Sequence, residues 1–297
     1  MSIQWFPGHM AKARRQVTEK LKLVDVVFEL LDARLPISSR NPMMGEIVAQ
    51  KPRVILLTKC DLADPKANKE WVAYFREQGV GVLEVDAKTG KGVNLIQSVT
   101  DKLLQPLFEI RQRKGILTRR VRAMVLGIPN VGKSSLINRL AKRAATVTGD
   151  RPGVTKAQQW IKIGQNLELL DTPGILWPKF EDHGVGLRLA LSGAIKEEIL
   201  PIEEVAVHGI AYLKERYATE LMARYKLQDS ALSQESYETL QEIGKKRGCI
   251  QRGGIINTEK AAEIFLNDLQ GGMIGRISFE YPGDEFFTEE QDVQRDE

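Results

Sequence analysis

One segment, GIPNVGKS at residues 127–134, constrains the fold of this 297-residue chain more than any other. It matches the phosphate-loop pattern G-x-x-x-x-G-K-[ST], in which backbone N–H groups and one lysine surround phosphate oxygens. The apolar run at residues 123–126 precedes it, and the helix-like sequence SLINRLAKR follows its lysine. Such a loop requires this order of strand, loop and helix, so the sequence predicts a phosphate site on an α/β sheet.

Short apolar runs alternate with amphipathic segments up to about residue 172, which is typical of βα units and a mostly parallel sheet. Of the six runs, those at residues 54–57, 82–85, 123–126 and 167–170 are each followed directly by one of the four motifs. Ligands of open α/β sheets bind outside the carboxyl ends of the strands, so the four loops should converge on one crevice. We predict strands over residues 26–31, 54–57, 82–85, 123–126, 160–163 and 167–170.

The polar side chains of the phosphate loop have different predicted roles. Lys133 would place a positive charge on the β- and γ-phosphates, which makes it a candidate catalytic residue, and the Ser134 hydroxyl would ligate Mg²⁺. We assign to nucleotide binding, from this loop, the residues Asn130, Val131, Gly132, Lys133, Ser134 and Ser135.

A second phosphate-side motif is DTPG at residues 171–174, directly after the run NLELL. Asp171 would hold Mg²⁺ through water, and the Gly174 N–H would sense the γ-phosphate. Thr155 lies between the two motifs and would ligate Mg²⁺, with a catalytic part, once its loop closes over a triphosphate. A loop threonine is otherwise a turn or cap residue.

Two further motifs predict recognition of guanine. TKCD at residues 58–61 and DAK at residues 86–88 are similar to the N-K-x-D and S-A-K motifs of GTPases. A carboxylate at Asp61 accepts two N–H bonds that guanine offers and adenine does not, which discriminates against ATP. The Ala87 N–H would donate to the guanine oxygen, and Lys59 would lie along the base plane. The residues assigned to the base are Thr58, Lys59, Asp61, Asp86, Ala87 and Lys88.

Thr58 departs from the usual asparagine of the first base motif. We expect this change to remove the amide that normally braces the phosphate loop. The predicted result is weaker nucleotide binding without a change of base.

The order of the motifs is itself informative, because TKCD and DAK precede the phosphate loop, whereas ordinary GTPases have them last. A site built from strand ends tolerates such a rotation of the chain, since domain termini often lie close together. This order, with the opening WFPGHMAKARR and the segment LDTPGILWPKF, strongly resembles the YlqF/YawG family of circularly permuted GTPases.

The resemblance, which extends to about Pro282, implies a GTPase with a low intrinsic rate that ribosomes stimulate. It implies a role in late maturation of the large ribosomal subunit and a helical C-terminal domain that contacts ribosomal RNA. The expected fold is a permuted P-loop domain, a mostly parallel sheet with helices on both faces, and a small all-α domain. We place the GTPase domain with its N-terminal basic helix at 1–180, the RNA-binding domain at 181–283 and an acidic disordered tail at 284–297.

Helical spacing supports this division. Apolar residues from Met10 to Val24 recur every three or four positions, which predicts an amphipathic helix before the first strand. After the strand pattern ends, we predict helices over 186–195, 202–225, 236–246 and 258–269, the last with Thr258 as its N-cap.

Charge is distributed unevenly along the chain. Its formal net charge of +4 divides into −6 for residues 284–297 and +10 for the rest. Six basic residues and no acid fall within residues 111–122, and GKKRG occupies residues 244–248. A polyanionic partner such as rRNA fits this distribution, as does a solvated basic linker.

The group that orients the attacking water is not fixed by the motifs, because Ile175 stands where many GTPases carry glutamine after DxxG. His9, before the basic helix, is our candidate, since a neutral imidazole can accept a proton or orient water. A lone histidine is otherwise a helix cap or a surface group, and His183 and His208 are weaker candidates. Alternatively, RNA or a bound K⁺ stabilises the transition state, with Asn130 as the K⁺ ligand or as a simple turn residue.

Two hypotheses follow. The first is a GTPase switch in ribosome assembly, released from pre-ribosomal particles on GTP hydrolysis. The second is a protein-binding module that GTP stabilises, with negligible catalysis and no rRNA target. We expect a cytoplasmic protein without membrane attachment, because the chain lacks a long apolar run and a secretory signal. A monomer is the expected state of a factor that binds particles. Its two cysteines, Cys60 and Cys249, are expected to be buried free thiols.

Overall fold

A computed structural model describes the backbone of most of the chain. The described residues are 15, 17–48, 51–116, 120–148, 160–164, 166–171, 183–195 and 201–284, and side chains are described for these except at 43, 44, 46, 142–148 and 171. They form two compact units. The first comprises the described residues up to 171 together with 278–284, and the second comprises the described residues of 183–277.

The first unit is built on a six-stranded sheet with the order β3-β2-β1-β4-β6-β5. Every neighbouring pair is parallel except β5 and β6, which are antiparallel. Helices lie on both sides of this mixed sheet, which confirms the predicted α/β class. The strands are β1 (Val26–Asp32), β2 (Arg53–Thr58), β3 (Gly81–Val85), β4 (Val121–Leu126), β5 (Trp160–Ile163) and β6 (Leu167–Asp171).

Burial explains why these segments form the sheet. All seven residues of β1, VVFELLD, are buried, as is typical of a central parallel strand that is covered on both faces. Its neighbours β2 and β4 have the same nearly continuous apolar character. One core cluster joins Leu31, Ile55 and Leu57 of the sheet to Trp71 and Phe75 of a covering helix. The apolar runs of the sequence therefore predicted all six strands, with ends that differ by at most two residues.

The helices of the first unit follow the expected alternation. Residues 15 and 17–21 are helical before β1, and Val17 and Leu21 are buried while Arg15 is exposed. This agrees with the predicted amphipathic helix for the part that is described. The remaining helices of this unit are α1 (Pro42–Val48), α2 (Pro65–Glu77), α3 (Ile96–Arg113) and α4 (Lys133–Thr148).

The second unit is helical, and α6, α9 and α10 pack on one another at its centre. Buried apolar residues on each helix, such as Ile210, Leu240 and Phe265, form this contact layer. Its helices are α5 (His183–Leu191), α6 (Ile202–Arg216), α7 (Ala218–Tyr225), α8 (Ser230–Ser233), α9 (Ser236–Lys246) and α10 (Thr258–Gln270).

Three helix boundaries differ from the sequence-based prediction. The helix predicted over 202–225 is broken at Tyr217, whose ψ of 38° ends α6 while its buried ring stays in the core. The helix predicted over 186–195 ends at Leu191, because a turn with Gly193 at φ +74° follows. The N-cap of α10 is Asn257 and not Thr258, since the Asn257 side chain accepts a hydrogen bond from the Lys260 N–H at 2.9 Å.

The chain returns to the first unit at its described C-terminal end, in residues 278–284, which we call the return segment. The Glu280 carboxylate accepts hydrogen bonds from the backbone N–H groups of Ile37 and Ser38, at 2.8 Å and 3.1 Å. The Trp71 indole N–H donates to the Glu280 carbonyl oxygen. The sequence-based boundary at 283 therefore differs from the observed grouping, because these contacts attach the segment to the sheet domain.

Both cysteines are buried free thiols, as predicted. Within the described ranges, no helix combines the length and the apolar composition that crossing a bilayer requires.

Candidate nucleotide-binding site

Strand register brings the predicted motifs to one edge of the sheet. Thr58 at the end of β2 is level with Asp32 of β1 and with Val85 of β3. On the other side of β1, Val125 of β4 is level with Asp171 of β6. Because these strands are parallel, the loops that follow them leave the sheet at the same edge. The TKCD, DAK and phosphate loops therefore share one end of the sheet.

The phosphate loop wraps around the beginning of α4. Gly127 is required there, because a Cβ at this residue would lie 2.9 Å from the Leu30 carbonyl oxygen. The ammonium group of Lys133, the first residue of α4, donates to the carbonyl oxygens of Gly127 and Ile128 at 3.0 Å and 2.7 Å. Helix N-termini with free N–H groups attract phosphate. The loop thus has the form that the GIPNVGKS motif predicted.

The two hydroxyl groups at the start of α4, those of Ser134 and Ser135, are exposed. Asn130 is also exposed and adopts φ 56°. Lys59, in the TKCD loop, has φ 55°, and among the described non-glycine residues only Lys226 shares this left-handed conformation with them. Such backbone strain is concentrated at functional sites. Its presence in both loops supports a shared site.

Thr58 braces the phosphate loop, contrary to our expectation from the sequence. Its hydroxyl lies 2.6 Å from the Val131 carbonyl oxygen and 3.0 Å from that of Leu31. The residue is 4% exposed, so this hydroxyl bonds to the protein instead of water. The premise that the Asn-to-Thr departure removes the brace was wrong, because the shorter hydroxyl side chain reaches the same loop.

The TKCD loop turns sharply after Thr58 and presents Asp61 to solvent. The Leu62 N–H donates to the Lys59 carbonyl oxygen at 2.9 Å, which closes the turn. The Asn68 side chain of α2 donates to the Cys60 carbonyl oxygen at 3.1 Å and fixes the backbone of the loop there. The Asp61 side chain is therefore exposed beside a fixed backbone, as a carboxylate that accepts ligand N–H groups requires.

The DAK loop is shaped by its own aspartate. The buried Asp86 carboxylate accepts from the Lys88 N–H at 2.7 Å and from the Thr89 N–H and hydroxyl. Burial alone would raise its pKa, but these hydrogen bonds and the Lys88 charge hold the pKa below the ordinary value. The carboxylate is thus engaged with the loop. Within the described part of the chain, the Ala87 N–H has no hydrogen-bond acceptor.

Comparison with known proteins shows which proteins this chain is similar to. A family model described as 50S ribosome-binding GTPase matches residues 122–242. Ribosome biogenesis GTPase A of Bacillus cereus is 52% identical over 295 residues, covering 99% of this chain and 99% of its own. Ribosome biogenesis GTPase A of Thermotoga maritima is 34% identical over 282 residues, covering 95% of each chain.

This chain belongs to the ribosome biogenesis GTPase A family.

Solved structures of the family give the same result. The GDP-bound structure of TM YlqF has a TM-score of 0.64 and 29% identity, covering 91% of this chain and all of its own. GNP-bound YlqF from T. maritima has a TM-score of 0.63 and 30% identity, covering 92% of this chain and 99% of its own. The fold of this GTPase A family member therefore matches that of structures solved with a guanine nucleotide or its analogue.

A buried ion pair anchors Lys59 in this GTPase A family member. Its ammonium group lies 2.9 Å from Asp32 Oδ2, and Arg34 donates to both oxygens of the same carboxylate. Burial alone would raise the pKa of Asp32, but the charges of Arg34 and Lys59 hold that pKa well below the ordinary value. The sequence-based analysis did not include Asp32, because an aspartate at a strand end carries no signal of its partners.

One more residue of this GTPase A family member escaped the sequence-based analysis. Arg139, on α4, donates to the carbonyl oxygens of Lys88 and Thr89 in the DAK loop. The position follows the phosphate loop by several residues and belongs to no motif. No pattern in the sequence distinguishes it from other basic residues on a helix surface.

Three predicted site residues of this GTPase A family member lie outside the described residues: His9, Thr155 and Gly174. Ile175, which stands where a glutamine is usual, also lies outside them. For Asp171 only the backbone is described, at the end of β6. The other two histidines belong to the second unit. There His183 Nε2 lies 3.1 Å from a Glu204 oxygen, and burial lowers the pKa of His208.

Proposed function

We propose that this protein hydrolyses GTP to GDP and phosphate and acts as a nucleotide-gated assembly factor in late maturation of the large ribosomal subunit. The observation that carries the proposal is the hydrogen bond from Thr58 to Val131, which joins a base-reading loop to a phosphate loop. The names of its relatives supply the biological process. The protein acts in the cytoplasm as a monomer, binds immature particles with GTP and leaves them after hydrolysis.

Guanine is selected by the exposed Asp61 carboxylate and the Ala87 N–H. The carboxylate accepts from the N1–H and the 2-amino group of guanine, and adenine presents neither in that arrangement. Lys59, anchored by Asp32, packs along the base, and Lys88 flanks it. The phosphates lie against the N–H groups from Asn130 to Ser135, with Lys133 moving from loop carbonyl oxygens to the β- and γ-phosphates.

A magnesium ion fits the residues at the start of α4. The exposed Ser134 hydroxyl is a hard oxygen donor, and register sets the Asp171 backbone beside Val125, two residues before the phosphate loop. Ser134 and Thr155 would hold the ion directly, and Asp171 through water, with the Gly174 N–H at the γ-phosphate. Bound there, Mg²⁺ offsets negative charge on the phosphates.

The water that attacks the γ-phosphate is oriented by His9 in this proposal, because no glutamine follows the DxxG motif. A K⁺ ion held by Asn130, or rRNA itself, provides a second source of charge stabilisation. The left-handed backbone of Asn130 is compatible with a ligand at that position. A His9→Ala variant with unchanged single-turnover hydrolysis on the particle contradicts the assignment of His9.

Contact with rRNA is supported by the exposed tip of the second unit. Lys245, Lys246 and Arg252 are exposed around the bridge between Ile250 and Ile256. Lysine and arginine contacts with phosphates release counterions, which makes binding salt-dependent. Replacing the three basic residues by alanine should weaken particle binding and reduce its salt dependence. A variant with unchanged salt dependence would exclude this tip as the RNA contact.

The decisive experiment measures GTP hydrolysis with and without purified large subunits, in K⁺ and in Na⁺. We expect a low intrinsic rate, a large acceleration by subunits, and particle binding that is stronger with a non-hydrolysable GTP analogue than with GDP. Equal particle affinity in both nucleotide states, together with no acceleration, would leave a GTP-stabilised binding module and contradict the proposal.

A further inference from the structure

Arg139 links two parts of the site that the sheet keeps apart. In the sheet order, β2 and β1 lie between β3, which precedes the DAK loop, and β4, which precedes the phosphate loop. No strand pairing therefore connects the two loops. The Arg139 guanidinium on α4 spans this separation, with Nη2 2.7 Å from the Thr89 carbonyl oxygen and Nη1 3.2 Å from that of Lys88.

The contact is specific in its shape. A planar guanidinium that donates to two successive carbonyl oxygens fixes the orientation of the peptide between them, which a single ammonium donor does not. Gly90, at φ +90°, leaves room for this group, since a Cβ there would lie 2.6 Å from Arg139 Nη2. Arg139 therefore fits against a loop whose backbone is shaped to receive it.

The other side of the same loop is held by Asp86, whose carboxylate binds the N–H groups of Lys88 and Thr89. Asp86 therefore fixes the N–H groups of Lys88 and Thr89, and Arg139 fixes their carbonyl oxygens. The Ala87 N–H, immediately before these residues, is left to bind a ligand. The direction in which it donates is set by the two restraints together.

We propose that Arg139 is a positioning residue for base recognition, which holds the Ala87 N–H in line with the 6-oxygen of guanine. It also joins the DAK loop to α4, the helix whose N-terminus binds the phosphates, so that connected parts of the protein bind the base and the phosphates. The inference rests on the proposed binding of guanine nucleotides.

Two analogues of GDP separate the two contacts with the base. 6-Thioguanosine diphosphate replaces the 6-oxygen by a larger sulfur that accepts hydrogen bonds weakly, so it tests the Ala87 N–H. Inosine diphosphate lacks the 2-amino group and tests Asp61. The dissociation constants of GDP and of both analogues give two preference ratios for each protein variant, measured by competition against a fluorescent GDP.

Arg139→Ala should lower the preference for GDP over 6-thioguanosine diphosphate by about fivefold, the order expected for one neutral hydrogen bond. Its preference for GDP over inosine diphosphate should stay that of the original protein. Arg139→Lys should give an intermediate value, because an ammonium group lacks the planar pair of donors. Asn138→Ala, which changes the exposed neighbour on the same helix, is the matched control and should alter neither ratio.

Two results would overturn the inference, and a third would contradict the proposed function on which it rests. If Arg139→Ala leaves both ratios unchanged, the residue does not position the loop. If both ratios fall together, the substitution has loosened the whole site. An original protein that does not prefer GDP to ADP would instead contradict the proposed function, so ADP is included as a further competitor in the same titrations.

Discussion

The Thr58 hydroxyl lies 2.6 Å from the carbonyl oxygen of Val131, and this hydrogen bond joins the base-reading and phosphate-binding loops. The same oxygen lies 3.0 Å from the Leu31 carbonyl oxygen, so the single hydroxyl proton is shared between two acceptors, of which the Val131 oxygen is the nearer. In a chain whose motifs are permuted, this contact makes two distant segments into one site.

Thr58→Val should weaken GDP binding about 5- to 30-fold. Valine has the same shape but no donor, so the buried Val131 carbonyl oxygen loses its partner, at a cost of about 1–2 kcal/mol. Thr58→Ser keeps the hydroxyl and should bind GDP within about threefold of the original protein. Equilibrium titration with a fluorescent GDP measures both. Equal binding by the valine variant would show that the brace has no part in affinity.

Asp32→Asn should destabilise the first unit by about 3 kcal/mol at pH 7, because it breaks a buried pair with Arg34 and Lys59. The native pKa of Asp32 is lowered, so the unfolded state takes up a proton first as the pH falls. The stabilisation is therefore complete above the ordinary carboxyl pKa of 3.8 and is lost as the pH falls below it.

Urea unfolding at pH 7, 5, 4 and 3 tests this dependence. The difference in unfolding free energy between original and variant should be nearly constant from pH 7 to pH 4 and should shrink at pH 3, below the ordinary carboxyl pKa. A constant difference at every pH would mean that the charge of Asp32 contributes nothing.

Glu280→Ala should lower the unfolding free energy by about 3 kcal/mol and release the return segment. The buried carboxylate accepts from the Ile37 and Ser38 N–H groups, and its loss leaves both donors without that acceptor. Hydrogen exchange at residues 278–284 should rise along with the loss of stability. Glu77→Ala, at an exposed glutamate of the same unit, is the control and should change neither. Unchanged exchange in Glu280→Ala would contradict this anchoring.

Much of this fold and site was predictable from the sequence, because the signals were local. Apolar runs predicted all six strands, since a parallel sheet covered on both faces needs continuous apolar segments. The phosphate loop was equally accessible, because its glycines, lysine and following helix are adjacent in sequence. The order of the motifs along the chain predicted the permutation and carried the family resemblance, and the sheet order agrees with it.

The features that could not be predicted depend on contacts between distant residues. Arg139 donates to Thr89 of the DAK loop, which lies 50 positions away in sequence. Glu280 accepts from Ser38, which lies 242 positions away in sequence. For Thr58 we expected a lost brace because asparagine is usual at its position, and only the structure shows that the threonine hydroxyl reaches the Val131 carbonyl oxygen. The break at Tyr217 was also not predicted, because the helical spacing of apolar residues continues through it, and only its backbone angles (φ −140°, ψ 38°) show the break.

Cys60 should resist thiol reagents while the protein is folded. It is fully buried, and burial raises its pKa to about 11, so almost no thiolate is present at pH 8. In a Cys249→Ser background, iodoacetamide labelling at pH 8 should follow the unfolding transition in urea. Rapid labelling without urea, at the rate of a free cysteine, would contradict the burial of this thiol.

The central claim is that the exposed Asp61 carboxylate selects guanine, and Asp61→Asn tests it. The variant amide can donate an N–H where the carboxylate only accepts. Xanthine carries a carbonyl oxygen where guanine carries its 2-amino group, so its hydrogen-bonding pattern suits the amide.

The most direct measurement is the pair of dissociation constants for GDP and xanthosine diphosphate, in the original protein and in Asp61→Asn. We expect the original protein to prefer GDP, and the variant to lose GDP affinity by a factor on the order of 10² or more while preferring xanthosine diphosphate. A variant that keeps the original preference for GDP would contradict the assignment of Asp61 and the account built on it.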